Sequence, residues 1–138
     1  MNIENKQKEY LSAEHSIFAL EYHVIFCTKF RRKIFINEGL IVRAKQLIKE
    51  KQSEFNFKCF ECEIMPDHIH LLIGVLNPKL NIYTVISKIK GMLSKILREE
   101  FPEIKSKIPS LWSRGKFISS VGSVSLDVVK RYIEGQKK

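Results

Sequence analysis

The stretch Lys58–Leu76, KCFECEIMPDHIHLLIGVL, decides the fold. In its second half Ile69, Leu71, Ile73 and Val75 alternate with His68, His70, Leu72 and Gly74. Successive side chains of a strand point to opposite faces, so the apolar set claims one face and the histidines share the other. In the first half Phe60, Cys62 and Ile64 alternate with Glu61 and Glu63, while Phe55 and Phe57 fall out of phase with them, which predicts a strand with a bulge or a late start. Pro66 and Asp67 between the halves are turn formers, and the whole stretch reads as a β-hairpin.

Working outward, Ala19–Thr28 places Tyr22, Val24 and Phe26 in alternation with Glu21, His23 and Ile25, a β-strand pattern. Asn37 is placed to cap a helix whose stripe is Leu40, Ile41, Ala44, Leu47 and Ile48. Beyond the hairpin, Asn81 caps a long helix with Ile82, Val85, Ile86, Ile89, Leu93 and Ile96 on one side, and Pro102 ends it. A short strand follows around Lys116–Val121, and Ser125 caps a last helix running to the C-terminus. The order β-α-β-β-α-β plus a helix predicts an α+β fold. It would be a ferredoxin-like, split βαβ antiparallel sheet with helices on one face and a C-terminal helix in addition. The apolar face of the hairpin would meet the helices, leaving His68 and His70 on the face where the C-terminal helix can dock.

A chain of 138 residues predicts one domain over 1–138, with the polar stretch 1–14 as a flexible N-terminal tail. The 44% hydrophobic content is that of a globular chain, and no run approaches the ~20 apolar residues a membrane span needs. Nor does residue 1–14 resemble a secretory leader, so the expected location is the cytoplasm. Lys and Arg number 24 against 15 acidic residues, and the net charge of +9 points to a polyanionic partner. Basic residues are grouped: Lys29, Arg31, Arg32 and Lys33, then Lys88 and Lys95, then Arg114, and these are the candidate nucleic-acid contacts. The cysteines, Cys27, Cys59 and Cys62, are odd in number and argue against a disulfide framework. Cys59 and Cys62 form a C-x-x-C, but three residues apart on an extended strand they face opposite sides and would not converge unless the chain turned between them, which counts against a zinc site.

Chemistry enters with the histidines. Two of them at i and i+2 on a strand project side by side, with Cα atoms roughly 6.5–7 Å apart, and their rings can converge on one cation. At the C-terminus Tyr132 and Gln136 lie one helical turn apart on the same face. A tyrosine there brings a nucleophile near a metal, and the Gln136 amide oxygen is a hard ligand suited to Mg²⁺ or Mn²⁺. Each of these residues alone has an ordinary structural explanation.

Taken together, four segments resemble the single-tyrosine HUH transposases of the insertion-sequence 200/605 group, TnpA type. They are YHVIFCTKFRR at Tyr22–Arg32, MPDHIHLL at Met65–Leu72, IKGMLSKILREEFP at Ile89–Pro102, and Leu111–Gln136, which ends in YIEGQ. The resemblance implies that His68 and His70 are metal ligands with Gln136 as the third, that the metal is Mg²⁺ or Mn²⁺, and that Tyr132 on the C-terminal catalytic helix is the nucleophile. It also implies a DNA transposase acting on single-stranded DNA with hairpins at the element ends. Such an enzyme cuts and rejoins the strand through a 5′-phosphotyrosine, and is a homodimer with composite active sites in which Tyr132 is open to acting in trans. Asp67 and His23 are candidates for orienting the metal-bound histidines. The competing expectation is a catalytically silent ferredoxin-like nucleic-acid-binding protein, for which the basic groups suffice.

Overall fold

The computed structural model describes residues 21–75, 79–120 and 134–135. Strand β1 (Glu21–Thr28) runs into a single 3-10 turn (Lys29–Arg31), helix α1 (Glu38–Glu50) and the one-turn helix α2 (Gln52–Phe55). The hairpin β2 (Phe57–Met65) and β3 (His68–Val75) follows, then helix α3 (Ile82–Glu100), the short α4 (Glu103–Lys107) and β4 (Trp112–Ser120). The four strands form one antiparallel sheet in the order β2-β3-β1-β4. The tail at 1–14 and the helix expected from Ser125 lie outside the described residues, except that Glu134 and Gly135 are helical. No described helix is long and apolar enough to cross a membrane.

Local chemistry explains where the helices begin and stop. The Asn37 side-chain oxygen accepts from the Gly39 amide at 2.7 Å and the Leu40 amide at 3.4 Å, and the Asn81 oxygen accepts from the Tyr83 amide at 2.8 Å. Each cap satisfies donors that a first helical turn leaves without an intrahelical partner. Asn56 ends α2 in the left-handed conformation, which asparagine tolerates. The buried stripes, Leu40, Ala44, Leu47 and Ile48 on α1 and Val85, Ile86, Ile89, Leu93 and Leu97 on α3, recur at three- and four-residue spacing. They pack on Val24, Phe26, Ile69, Leu71 and Ile73 to form the main core.

Trp112 belongs to that core. It is 8% exposed, stands edge-on to Phe26 with ring centroids 4.7 Å apart, stacks on Phe35 at 5.8 Å, and donates from Nε1 to the Lys90 carbonyl at 2.9 Å. On the opposite sheet face Ile25, Cys27 and Leu72 are buried as well, outside this cluster.

The irregularity expected in β2 falls between Cys59 and Glu61, where the register against β3 shifts. Cys59 pairs with Ile73 and Cys62 with Leu71, two residues that share a face of β3. The extra residue therefore puts both thiols on the helix-covered face, correcting the expectation that they point apart. That expectation applied the period of an unbroken strand to a strand that is broken between the two cysteines.

Candidate active site

The two-residue turn Pro66–Asp67 fixes the hairpin register: Met65 faces His68, Ile64 faces Ile69 and Glu63 faces His70. Because Ile69 and Leu71 are drawn into the core, His68 and His70 project together from the other face. His68 is 8% exposed and His70 is half-buried.

Asp67 anchors the first histidine. Its Oδ1 accepts from His68 Nδ1 at 2.8 Å, while its Oδ2 accepts from Arg31 Nε at 3.0 Å and Nη2 at 2.7 Å. Burial by itself would raise the Asp67 carboxyl. The hydrogen bonds from His68 and Arg31 outweigh it and hold the group below the usual carboxylate range. With Nδ1 committed as a donor, the His68 lone pair is left on Nε2.

The Asp67 carbonyl is also held, accepting from the Thr28 amide at 2.9 Å, while the Thr28 hydroxyl donates to the Arg32 carbonyl at 2.6 Å and the Pro66 carbonyl accepts from the Phe35 amide at 3.0 Å. Reaching Asp67 requires an unusual backbone, since Phe30 and Arg31 have φ of 57° and 53°. A non-glycine residue in that region costs on the order of 1–2 kcal/mol, which the contacts of this turn offset.

His70 meets His23, whose Nδ1 lies 3.2 Å from His70 Nε2, with ring centroids 5.3 Å apart. Burial, and then the neighbouring His23, push His70 below its ordinary pKa, although Glu63 across the hairpin opposes them. Burial thus favours the neutral imidazole, and where Nε2–H donates to His23 the lone pair left for a cation is on Nδ1. Two side-by-side imidazoles, one oriented by a carboxylate, are a donor set that fits a divalent metal. Among the described residues no group of three His, Cys, Asp or Glu is arranged to hold an ion. Gln136 and the expected nucleophile Tyr132 lie outside the described residues.

Of the cations expected to meet DNA, Arg32, Lys33, Lys88, Lys95 and Arg114 are exposed and Lys29 is half-buried, its ammonium 5.2 Å from the Phe30 ring centre. Arg31 behaves differently: its side chain is 14% exposed and engaged with Asp67. Glu63 was not singled out from sequence, although counting back from the two-residue turn places it beside His70.

The family model described as Transposase IS200 like matches residues 16–136. The transposase for insertion sequence element IS200 of Salmonella typhimurium is 32% identical over 132 residues, covering 91% of this chain and 85% of its own. The ISDra2 transposase TnpA of Deinococcus radiodurans is 28% identical over 125 residues, 87% of this chain and 86% of its own. Among solved structures, a transposase from Deinococcus radiodurans superposes with a TM-score of 0.75 at 27% identity, covering 85% of this chain and 90% of that one. A REP-associated tyrosine transposase bound to a REP hairpin gives 0.56 at 10% identity, covering 86% and 64%, a likeness of fold alone. On the extent of the family match and the 32% identity, the chain belongs to the single-tyrosine HUH transposases of the IS200/IS605 TnpA family.

Proposed function

We propose that Tyr132 is the nucleophile of a strand-transfer reaction whose class the family fixes. Homology makes the chain an enzyme that cleaves and rejoins single-stranded DNA through a phosphotyrosine intermediate. In our assignment the Tyr132 oxygen attacks the scissile phosphorus and the bond to the 3′ oxygen breaks. The 5′ phosphate is then held on the protein, and a free 3′-OH is left to attack in the rejoining step. Bond energy is kept in the covalent intermediate, so no nucleotide triphosphate is consumed. A divalent cation, Mg²⁺ or Mn²⁺, held by His68, His70 and Gln136 would neutralise and orient the scissile phosphate.

The protein's own part is preorganisation: Arg31 steadies Asp67, Asp67 fixes the His68 ring, and His23 braces His70. The single observation that carries this reading is the bonded series from Arg31 through Asp67 to His68, on the face the histidines share. Lys29, Arg32, Lys33, Lys88, Lys95 and Arg114 are assigned to DNA phosphates, with Arg31 serving the turn. The strand order supports a ferredoxin-like split βαβ core completed by a C-terminal catalytic helix, in one domain over 1–138 with 1–14 as a tail. The partners are hairpin-bearing single-stranded DNA at element ends and a second copy of the chain forming composite sites. That substrate goes with work in the cytoplasm.

The test incubates the wild-type and Tyr132→Phe proteins with labelled single-stranded DNA from the flanks of the gene, with Mn²⁺ or with EDTA. Denaturing gels then read any protein–DNA adduct. A metal-dependent adduct formed by the wild type alone is expected. Binding with no adduct across all flanking sequences would overturn the assignment in favour of a silent DNA-binding protein.

A further inference from the structure

We propose that Cys59 and Cys62 form a dithiol redox site that reacts with anionic low-molecular-mass disulfides, such as oxidised glutathione, and closes into an intramolecular disulfide. Their β3 partners Ile73 and Leu71 are two residues apart, so the bulge compresses a three-residue interval into a two-residue one. Cα atoms at that interval on one face lie roughly 6.4–6.8 Å apart. That meets the upper end of the ~4.4–6.8 Å window a disulfide spans, and closure must also draw the two Cβ atoms to about 3.5–4.5 Å. An unbroken strand would separate the same residues by about 10 Å on opposite faces.

Both thiols are free and only partly buried, and the Cys59 thiol donates to the Glu61 carbonyl at 3.2 Å. They open on a cavity of about 290 Å³ whose walls include Lys45 and Lys49 of α1 and Lys58 of β2. In that lining three lysines outnumber the one carboxylate, Glu61, a balance that favours an anionic reagent over a cation.

The roles of the two sulfurs follow from their surroundings. The neighbouring Cys59 thiol draws Cys62 below its ordinary pKa; burial and Glu63 oppose this, while Lys45 adds to it. Cys59 is pushed up, first by the neighbouring Cys62 and then by burial. Cys62 thiolate therefore attacks one sulfur of the disulfide, which expels a low-molecular-mass thiolate that takes up a proton. Cys59 then loses its proton and attacks the Cys62 sulfur of the mixed disulfide, expelling the second thiol. One small disulfide is reduced to two thiols while two cysteines lose two hydrogens. Cys27, almost fully buried and pushed up by burial, has no such access.

The reduced full-length protein is incubated with oxidised glutathione, quenched with a maleimide in denaturant, and its peptides are weighed. Formation of a Cys59–Cys62 bond with Cys27 still free to alkylate is expected. Cys59→Ser should accumulate one glutathione on Cys62, and neither Cys59→Ser nor Cys62→Ser should form an intramolecular bond. Lys45→Gln should slow the first step severalfold. If Cys59 and Cys62 stay alkylatable in the folded wild type under conditions that oxidise the urea-unfolded chain, the proposal is overturned, with no variant needed. Cys27 reacting as fast as Cys62 would also overturn it, and a wild-type rate in Lys45→Gln would overturn the anionic substrate class.

Discussion

His68 donates from Nδ1 to Oδ1 of Asp67, the residue just before it in the chain, at 2.8 Å. A carboxylate in this position fixes both the tautomer and the plane of the ring. Replacing Asp67 with Ala should weaken Mn²⁺ binding by about 10–100-fold while leaving the strands intact. Titration calorimetry on the full-length protein, with circular dichroism as the folding control, reads this directly. An unchanged affinity in a folded variant would deprive Asp67 of any part in metal binding.

Arg31 combines a mostly buried ion pair with a left-handed backbone, and the two can be separated by substitution. Arg31→Ala should lose about 2 kcal/mol in urea unfolding, because charged hydrogen bonds to Asp67 disappear. Arg31→Gly loses the same bonds but relaxes the φ of 53°, and should be more stable than the alanine variant by about 1 kcal/mol. At ordinary positions glycine is the less stable of the two, so alanine ranking above glycine would refute the strained-turn account.

Much of this architecture was legible from periodicity. The stripes of α1 and α3, both asparagine caps and the hairpin with its turn rest on local rules that tertiary context did not override. Long-range pairing was not legible: Arg31 sits among Lys29, Arg32 and Lys33 in sequence, and nothing in that grouping marks it for Asp67, 36 positions away. The His23–His70 contact likewise arises from a diagonal across β1 and β3, which only the sheet order reveals. The two phenylalanines out of phase did announce a bulge. Its consequence for the thiols needed the position of the bulge, which alternation does not fix. The roles given to Tyr132 and Gln136 still rest on family likeness and helical spacing.

The helix caps give an independent measure of local stability. Asn37→Ala and Asn81→Ala should each cost about 1 kcal/mol, as measured by chemical denaturation, because each leaves first-turn amides without a partner. The caps share no bonding partner, so the double variant should lose close to the sum. A cost near zero for either would mean that water replaces the side chain there.

Trp112, the only tryptophan, reports on whether DNA reaches the core. Held against Phe26 and Phe35, it should emit like a buried indole, and saturating single-stranded DNA should leave its intensity within about a tenth of the free value. Strong quenching on DNA binding would show the ring stacking on bases instead.

The break in β2 also sets where this chain tolerates a change of length. The ladder pairs Cys59 with Ile73 and Glu61 with Leu72, so Phe60 is the residue it does not count. A variant lacking Phe60 should keep the ladder pairing and the inside-or-outside assignment of the other β2 residues. Removing one residue between Cys62 and the Pro66 turn does the opposite: it would swing Glu63 away from His70 and into the apolar interior, or drag the histidines after it. Insertions and deletions near this hairpin are thus permitted at one point and forbidden a few residues further on.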